Sequence, residues 1–228
     1  MAIDTGFGKV KLFDDFLGPV MDETNNWTTA RDGSGLEAIT LQVDGAVLIT
    51  ADTSSGNRTS VTQSLNWQAS DGGPLIGEFR VKSISAVTDR AIFVGFTNAA
   101  STSTLEIPIE MSSEALATNA DNAVGFMYDT AATYDVWYCV GTASTVDATE
   151  VKTTVVPVAD TYQTLRVVVN ITGDAEFFID GQFVGAVENA VTPGTDLTPI
   201  MVIENRSGSS TRAMNVDYVY LEKGRAAA

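Results

Sequence analysis

The sequence predicts an all-β protein, a two-sheet antiparallel β-sandwich. Three observations carry that expectation. First, the composition is rich in Thr, Val, Ser, Gly and Ala, in many short runs and with no long amphipathic pattern. Second, Tyr162–Val187 reads as an antiparallel meander: Leu165–Val169 is β-branched, Thr172-Gly173-Asp174 breaks it, and Ala175–Ile179 resumes. Third, Asp180-Gly181 sits between apolar runs, where a tight hairpin needs the positive φ that Gly accepts freely and Asp tolerates.

The remaining elements follow in chain order. Residues 1–12 mix Gly with alternating apolar residues and are expected to form an N-terminal arm or a first edge strand. Ile39–Val43 and Ala46–Thr50 flank Asp44-Gly45, a second hairpin signal. Ser60–Trp67 reads as a strand ended by Asp71-Gly72-Gly73-Pro74. Leu75–Ile84 alternates apolar and polar side chains, the mark of a strand with one wet face. Ala91–Phe96 is almost wholly apolar and reads as a central strand buried on both faces. Leu105–Met111, Ala123–Tyr128, Val136–Val140 and Val151–Val158 follow as strands, the last ended by Pro157. After the meander come Pro199–Glu204 and a closing strand, Ala213–Leu221. A single domain over 13–222 is expected, with 223–228 as a short tail.

Composition excludes several function classes. The chain of 228 residues has 13 basic and 29 acidic residues, a net charge of −16, which disfavours a nucleic-acid partner. Histidine is absent, which removes Ser-His and Cys-His catalysis and argues against zinc. The lone Cys139 forms no intrachain disulfide and reads as a buried, inert thiol. No apolar run approaches the ~20 residues of a membrane-spanning helix, and the first residues lack a secretory-signal pattern. The Asn-x-Ser/Thr triplets at Asn26, Asn57, Asn170 and Asn205 are then chance matches.

Several segments together carry a resemblance. Phe13-Asp14-Asp15-Phe16 with the following Trp27, DGAVLIT at 44–50, PLIGEFRVK at 74–82, FFIDGQFV at 177–184 and MNVDYVYL at 214–221 occur in the order found in laminarin- and lichenan-degrading glucanases. The chain therefore resembles the concanavalin A-like jelly roll. In that family the catalytic strand reads E-x-D-x-E, and alternation places the carboxylates on one face. The corresponding stretch here is Glu106-Ile107-Pro108-Ile109-Glu110, with proline where the tuning aspartate belongs. Proline supplies no carboxylate and removes a ladder hydrogen bond, so Glu106 and Glu110 read as solvated strand carboxylates. The resemblance also implies a structural calcium near Asp217 and Gly45, with Asp217 capping a turn or pairing with an arginine as the plainer reading. Trp27, Trp67 and Trp137 lie in three separate segments and read as core rather than as a sugar-stacking platform. Arg58, Arg90, Arg206 and Arg212 lie in or beside loops and read as solvated charges, with interface contacts as the alternative. No catalytic, cofactor-binding or metal-ligating residue is assigned.

The small, Cys-poor chain with its degraded catalytic strand is similar to bacteriophage head decoration (cement) proteins. That similarity implies a non-enzymatic virion protein on the capsid outer surface, made in the host cytoplasm. It would bind the major capsid protein as a homo-oligomer, commonly a trimer, with no nucleic-acid or membrane partner. The arm 1–12, with Lys9 and Lys11, is the expected capsid-facing element. A carbohydrate-binding module or phage adhesin on the same fold, holding a glycan on the concave face, is the alternative. An active β-glucanase is the third reading.

Overall fold

A computed structural model describes residues 8–18, 20–33, 36–39, 45–64, 66–69, 73–100, 105–112 and 115–225. Among these the first strands are β1 (Lys9–Asp14), β2 (Thr28–Arg31), β3 (Leu36–Ile39), β4 (Val47–Ala51), β5 (Arg58–Thr62), β6 (Leu75–Ser83) and β7 (Arg90–Thr97). A short hairpin follows, β8 (Ile109–Ser112) and β9 (Ala115–Thr118), and then β10 (Asn122–Asp129), β11 (Tyr138–Ala143), β12 (Val146–Asp147) and β13 (Val151–Lys152). The chain closes with β14 (Gln163–Val169), β15 (Ala175–Ile179), β16 (Gln182–Val187), β17 (Thr198–Asn205) and β18 (Arg212–Gly224).

The strands form two antiparallel sheets. Sheet A has the order β16-β15-β14-β6-β18-β4-β3, with β1 also beside β18. Sheet B has the order β12-β11-β10-β7-β17-β5-β2, with β13 also beside β11. In β6 and β14 buried and half-buried residues alternate strictly, so one face of sheet A meets the core and the other meets solvent. In β7, β10 and β17 every residue is buried, so sheet B is covered on both faces over its middle.

The core between the sheets is aromatic and aliphatic. Phe126 meets Phe177 edge-on at 5.2 Å and Trp137 at 6.3 Å. All three tryptophans are buried here, as expected, and each indole N–H donates to a nearby side-chain oxygen: Trp27 to Asp14 Oδ2 at 2.7 Å, Trp67 to Gln63 Oε1 at 3.2 Å, Trp137 to Gln163 Oε1 at 2.9 Å. Cys139 is fully buried, and burial pushes its thiol up to about 12.

The meander and its Asp180-Gly181 turn stand as expected, with φ of 50° and 78° at the two turn residues. Other expectations shift. The strand expected over Val151–Val158 ends at Lys152: beyond it the chain still bonds to Trp137 through Thr153 N and Val155 O, at 3.1 and 2.9 Å, but Thr153 turns its hydroxyl back onto Trp137 O at 2.7 Å and Val155 N at 3.1 Å, so regular pairing stops. The strand expected over Ser60–Trp67 spans Arg58–Thr62, and Trp67 makes only an isolated bridge to Leu197. Tyr138, not Val136, opens β11. The hairpin around Asp44-Gly45 pairs Ile39 with Val47, so its connection is longer than two residues; residues 40–44 lie outside the described ones.

The two chain ends differ most from expectation. Lys9–Asp14 is a strand paired along Val219–Gly224, and Arg225 N donates to Gly8 O at 2.7 Å. Of the two forms expected for residues 1–12, an arm or an edge strand, residues 9–12 take the second and are built into sheet A, while residues 1–7 lie outside the described ones. Lys9 and Lys11 both pair with Glu222, at 2.6 and 3.3 Å. The closing strand runs on through Lys223 and Gly224, which were expected in the tail.

Candidate functional site

In a sandwich of this kind the broad outer face of a sheet is the natural place for a ligand. On sheet B alternation turns Ala91, Phe93, Ala123, Met127, Ile200 and Val202 outward. These side chains do not meet solvent. Ile107, Ile109, Met111 and Ala120 pack onto them, with Leu116, Ala132 and Val136 partly buried alongside, forming a second apolar core outside the sandwich. The cover is formed by residues 105–112 and 115–121, which include the paired strands β8 and β9. Asn119 closes it from within: its N–H donates to Pro108 O at 2.9 Å, and its amide donates to Ile107 O and Glu110 Oε1, both at 3.0 Å.

This corrects the expected strand over Leu105–Met111. The strand starts only at Ile109 and pairs with β9, outside both sheets. Pro108 lies just before it, where a missing N–H costs no ladder bond. The strands that pair with β7 are β10 and β17, whose outward positions Ala123, Gly125, Met127, Ile200 and Val202 carry no carboxylate until Asp129 and Glu204. Glu106 and Glu110 therefore do not share the face of a sheet strand.

A buried charge cluster fastens the cover. Glu110 Oε2 accepts from Arg206 Nη2 at 2.7 Å. The same guanidinium donates to Glu204 Oε1 at 2.6 Å and grips Asp129 through both Nε and Nη2, the Nε bond being 3.1 Å. Glu204 Oε2 also accepts from Arg58 Nε at 2.6 Å, and Arg58 Nη1 reaches Leu105 O at 3.0 Å. Asp129 completes the tie by accepting from Met111 N and Ala131 N, each at 2.9 Å. Asp129 and Glu204 are 0 and 2 % exposed. Burial raises Glu204 above the usual carboxylate range, partly offset by Arg206 and Arg58. Burial also works against the Arg206 charge, but the bond to Asp129 and the fields of Asp129, Glu204 and Glu110 outweigh it and hold the guanidinium protonated more firmly than usual.

Chemically this is a clamp. Retaining hydrolysis needs two facing carboxylates about 5–5.5 Å apart, one of them free to give up a proton. Here Glu110 is bound to an arginine and Glu106 is exposed. Glu110 is thus not the solvated carboxylate expected, whereas Glu106 is. Two members went unrecognised in the sequence, Asp129 and Glu204. The signal was present: each stands at or next to the end of a strand whose middle is apolar, where a charge needs a partner.

The other candidates are dispersed. Asp217 pairs with Arg80 on the outer face of sheet A, and Gly45 turns at φ +70° against the carbonyls of Asp15 and Phe16. Arg80 already supplies the positive charge that a cation would bring to Asp217. Among the described residues no cluster of three or more His, Cys, Asp or Glu gathers. Arg90 and Arg212, expected as solvated charges, are 2 and 8 % exposed. Arg90 donates to Ala213 O at 3.1 Å and Thr88 O at 3.2 Å; Arg212 pairs with Asp89 at 2.9 Å. Asn205 is buried and donates to Asp52 O at 2.7 Å, which suits a chance triplet.

Two large antiparallel sheets in this order, with no helix among the described residues, define a jelly-roll sandwich of the concanavalin A-like type. Solved structures agree. A β-glucanase of Bacillus licheniformis matches over 92 % of this chain and 97 % of its own, with TM-score 0.56 and 13 % identity. The carbohydrate recognition domain of Emp47p matches over 89 and 90 %, with TM-score 0.56 and 12 % identity. A carbohydrate esterase of the Shiga toxin-encoding bacteriophage phi24B matches over 87 and 90 %, with TM-score 0.51 and 13 % identity. Neither a protein-family model nor a curated protein sequence matches the chain.

Proposed function

We propose that this chain is a non-enzymatic structural protein of a virus particle, a decoration or cement subunit that binds the outer surface of a phage head and stabilises its capsomer lattice. One observation carries the reading. The sheet face on which a glucanase would hold its sugar is filled from inside by Ile107, Ile109 and Met111, and its carboxylates are locked by Arg206 and Arg58. The fold is kept while the cleft is gone, which suits a rigid block used for docking. A net charge of −16 keeps such a block soluble at high local concentration. A phage protein among the structures of similar fold fits the same setting. Binding only to the expanded lattice would stabilise that lattice by mass action, and repeated contacts would add avidity.

The glycan-binding alternative needs exposed aromatics beside Glu106 and Glu110. Phe93 and Tyr138, the aromatic residues of the filled face, are 0 and 5 % exposed. The test uses heads of the source particle stripped of this protein. Purified chain should sediment with expanded shells and raise the temperature at which they open. Hydrolysis of laminarin or lichenan, or retention on a polysaccharide gel without any binding to heads, would overturn the reading.

A further inference from the structure

The outer face of sheet A is the broad face left open, and its side chains form an ordered row. Register places Phe13 beside Tyr220, Tyr220 beside Glu78, Glu78 beside Arg166, Arg166 beside Phe178, and Phe178 beside Phe183. All six lie on the solvent side of β1, β18, β6, β14, β15 and β16. Phe13 and Phe183, at the two ends, are 60 and 59 % exposed. In the row on one side, Ile76 stands beside Val168 at the centre.

Read across the sheet, the row runs aromatic, aromatic, acid, base, aromatic, aromatic. We infer that this face binds a second copy of the chain, face to face, about a two-fold axis parallel to the strands and passing between Glu78 and Arg166. That operation reverses the row. Phe13 of one copy meets Phe183 of the other, Tyr220 meets Phe178, and Glu78 meets Arg166. The neighbouring row sets Ile76 against Val168 and Glu222 against Glu176, the Glu222 charge being buried and already paired with Lys9 and Lys11. A two-fold axis along the row would instead set Glu78 against Glu78 and Arg166 against Arg166, which like charges disfavour. The central row is self-complementary about the axis parallel to the strands and not about the axis along the row, as an isologous interface through that row requires.

Charge and size agree with a second copy as the occupant. In a chain of net charge −16, this face collects Lys9, Lys11, Arg80, Lys82 and Arg166 against Glu78, Asp217, Glu222 and Glu176, so it is close to balanced where the rest is acidic. Glu78 and Arg166 are 3.6 Å apart within one copy and 23 and 43 % exposed, close enough to be held in place and open enough to meet a partner. Strands about 4.8 Å apart and rows about 7 Å apart give a patch of roughly 500–600 Å², hence about 1,000–1,200 Å² buried between two copies, the lower end of a specific interface. The aromatic and arginine content is that of an interface core. This pairing is two-fold, unlike the trimer expected from the sequence, and it stands independently of any particle.

Sedimentation equilibrium at 0.15 M salt is the test. The wild-type chain should be a dimer at tens of micromolar. Arg166→Glu and Glu78→Arg alone should each raise the dimer Kd at least tenfold, with an unchanged circular dichroism spectrum. The two single variants mixed together should associate again, since every acid then faces a base. The double variant, Glu78→Arg with Arg166→Glu, should also recover the dimer. A wild-type monomer or trimer at 100 µM, single variants that dimerise normally, or a mixture that fails to associate would overturn the inference.

Discussion

Arg206 shows what one half-buried guanidinium does when three carboxylates converge on it. It joins the end of β17 to β10 through Asp129 and to the cover through Glu110. Replacing it by Met leaves Asp129 and Glu204 buried without their main counter-charge. A loss of about 3–5 kcal/mol is expected, the cost of breaking a buried ion pair from one side; urea unfolding measures it. Glu204 adds a pH dependence of definite sign. Its folded pKa lies above the ordinary value, so its contribution is full below the unfolded pKa of 4.5 and is lost as the pH rises through the raised value. Glu204→Gln should remove that segment of the stability–pH curve, read as urea midpoints from pH 4 to 7. Glu222 has the opposite sign. Burial would raise it, but bonds from Lys9, Tyr220 and Lys11 prevail and lower it, so its contribution is lost as the pH falls through its depressed value.

Residues such as these were the least legible in the sequence. Asp129, Glu204 and Arg206 meet across a sheet, and nothing local marks Arg206 as the centre of a cluster whose partners lie as far as 96 positions away. The Phe13-to-Phe16 motif was read as a family resemblance without its physical reason. Asp14 accepts from Phe16 N at 2.9 Å and from the Trp27 indole, and Phe16, at φ +51°, turns its ring onto Trp27 at 5.7 Å.

At the scale of elements, strands whose pattern is set by nearest neighbours were legible: β6, β7, β14, β15 and β16 follow from alternation, from unbroken apolar runs and from Asp180-Gly181. The cover was not. Ile107, Ile109 and Met111 alternate as a sheet strand would, because they too pack one side onto an apolar surface. Alternation reports one buried face, not which sheet buries it. The cover behaves as a second core, which gives a prediction. Ile109→Ala should cost about 2–5 kcal/mol, as for a core isoleucine, and comparably to Ile49→Ala between the sheets; both side chains are fully buried. A loss below about 0.5 kcal/mol, the range of ordinary surface changes, would mean the hairpin is only laid on the sheet.

At the scale of the whole molecule, the sheet edges are blunted. β2, β3, β12 and β13 have four residues or fewer, β1 carries Lys9 and Lys11, and β16 is bulged opposite Phe177 and Phe178. Edge-to-edge growth is therefore disfavoured, and association is directed to faces. The charge of −16 acts in the same direction by keeping unmatched surfaces apart.

The clasp between β1 and β18 also sets how the protein bears load. Because Gly8 and Arg225 are bonded to each other at one end of an antiparallel pair, tension applied through the two ends of the chain opens that pair as a zipper. The bonds from Lys9–Gly224 to Asp14–Val219 then break one after another rather than together. In single-molecule pulling, β1 should peel away in an early, low-force step, whereas pulling through Asp180 and Arg225 should show no such step. A tether on either terminus is thus attached to the weakest mechanical seam of an otherwise interlocked block, and a load-bearing linkage would have to enter through the faces of the sheets.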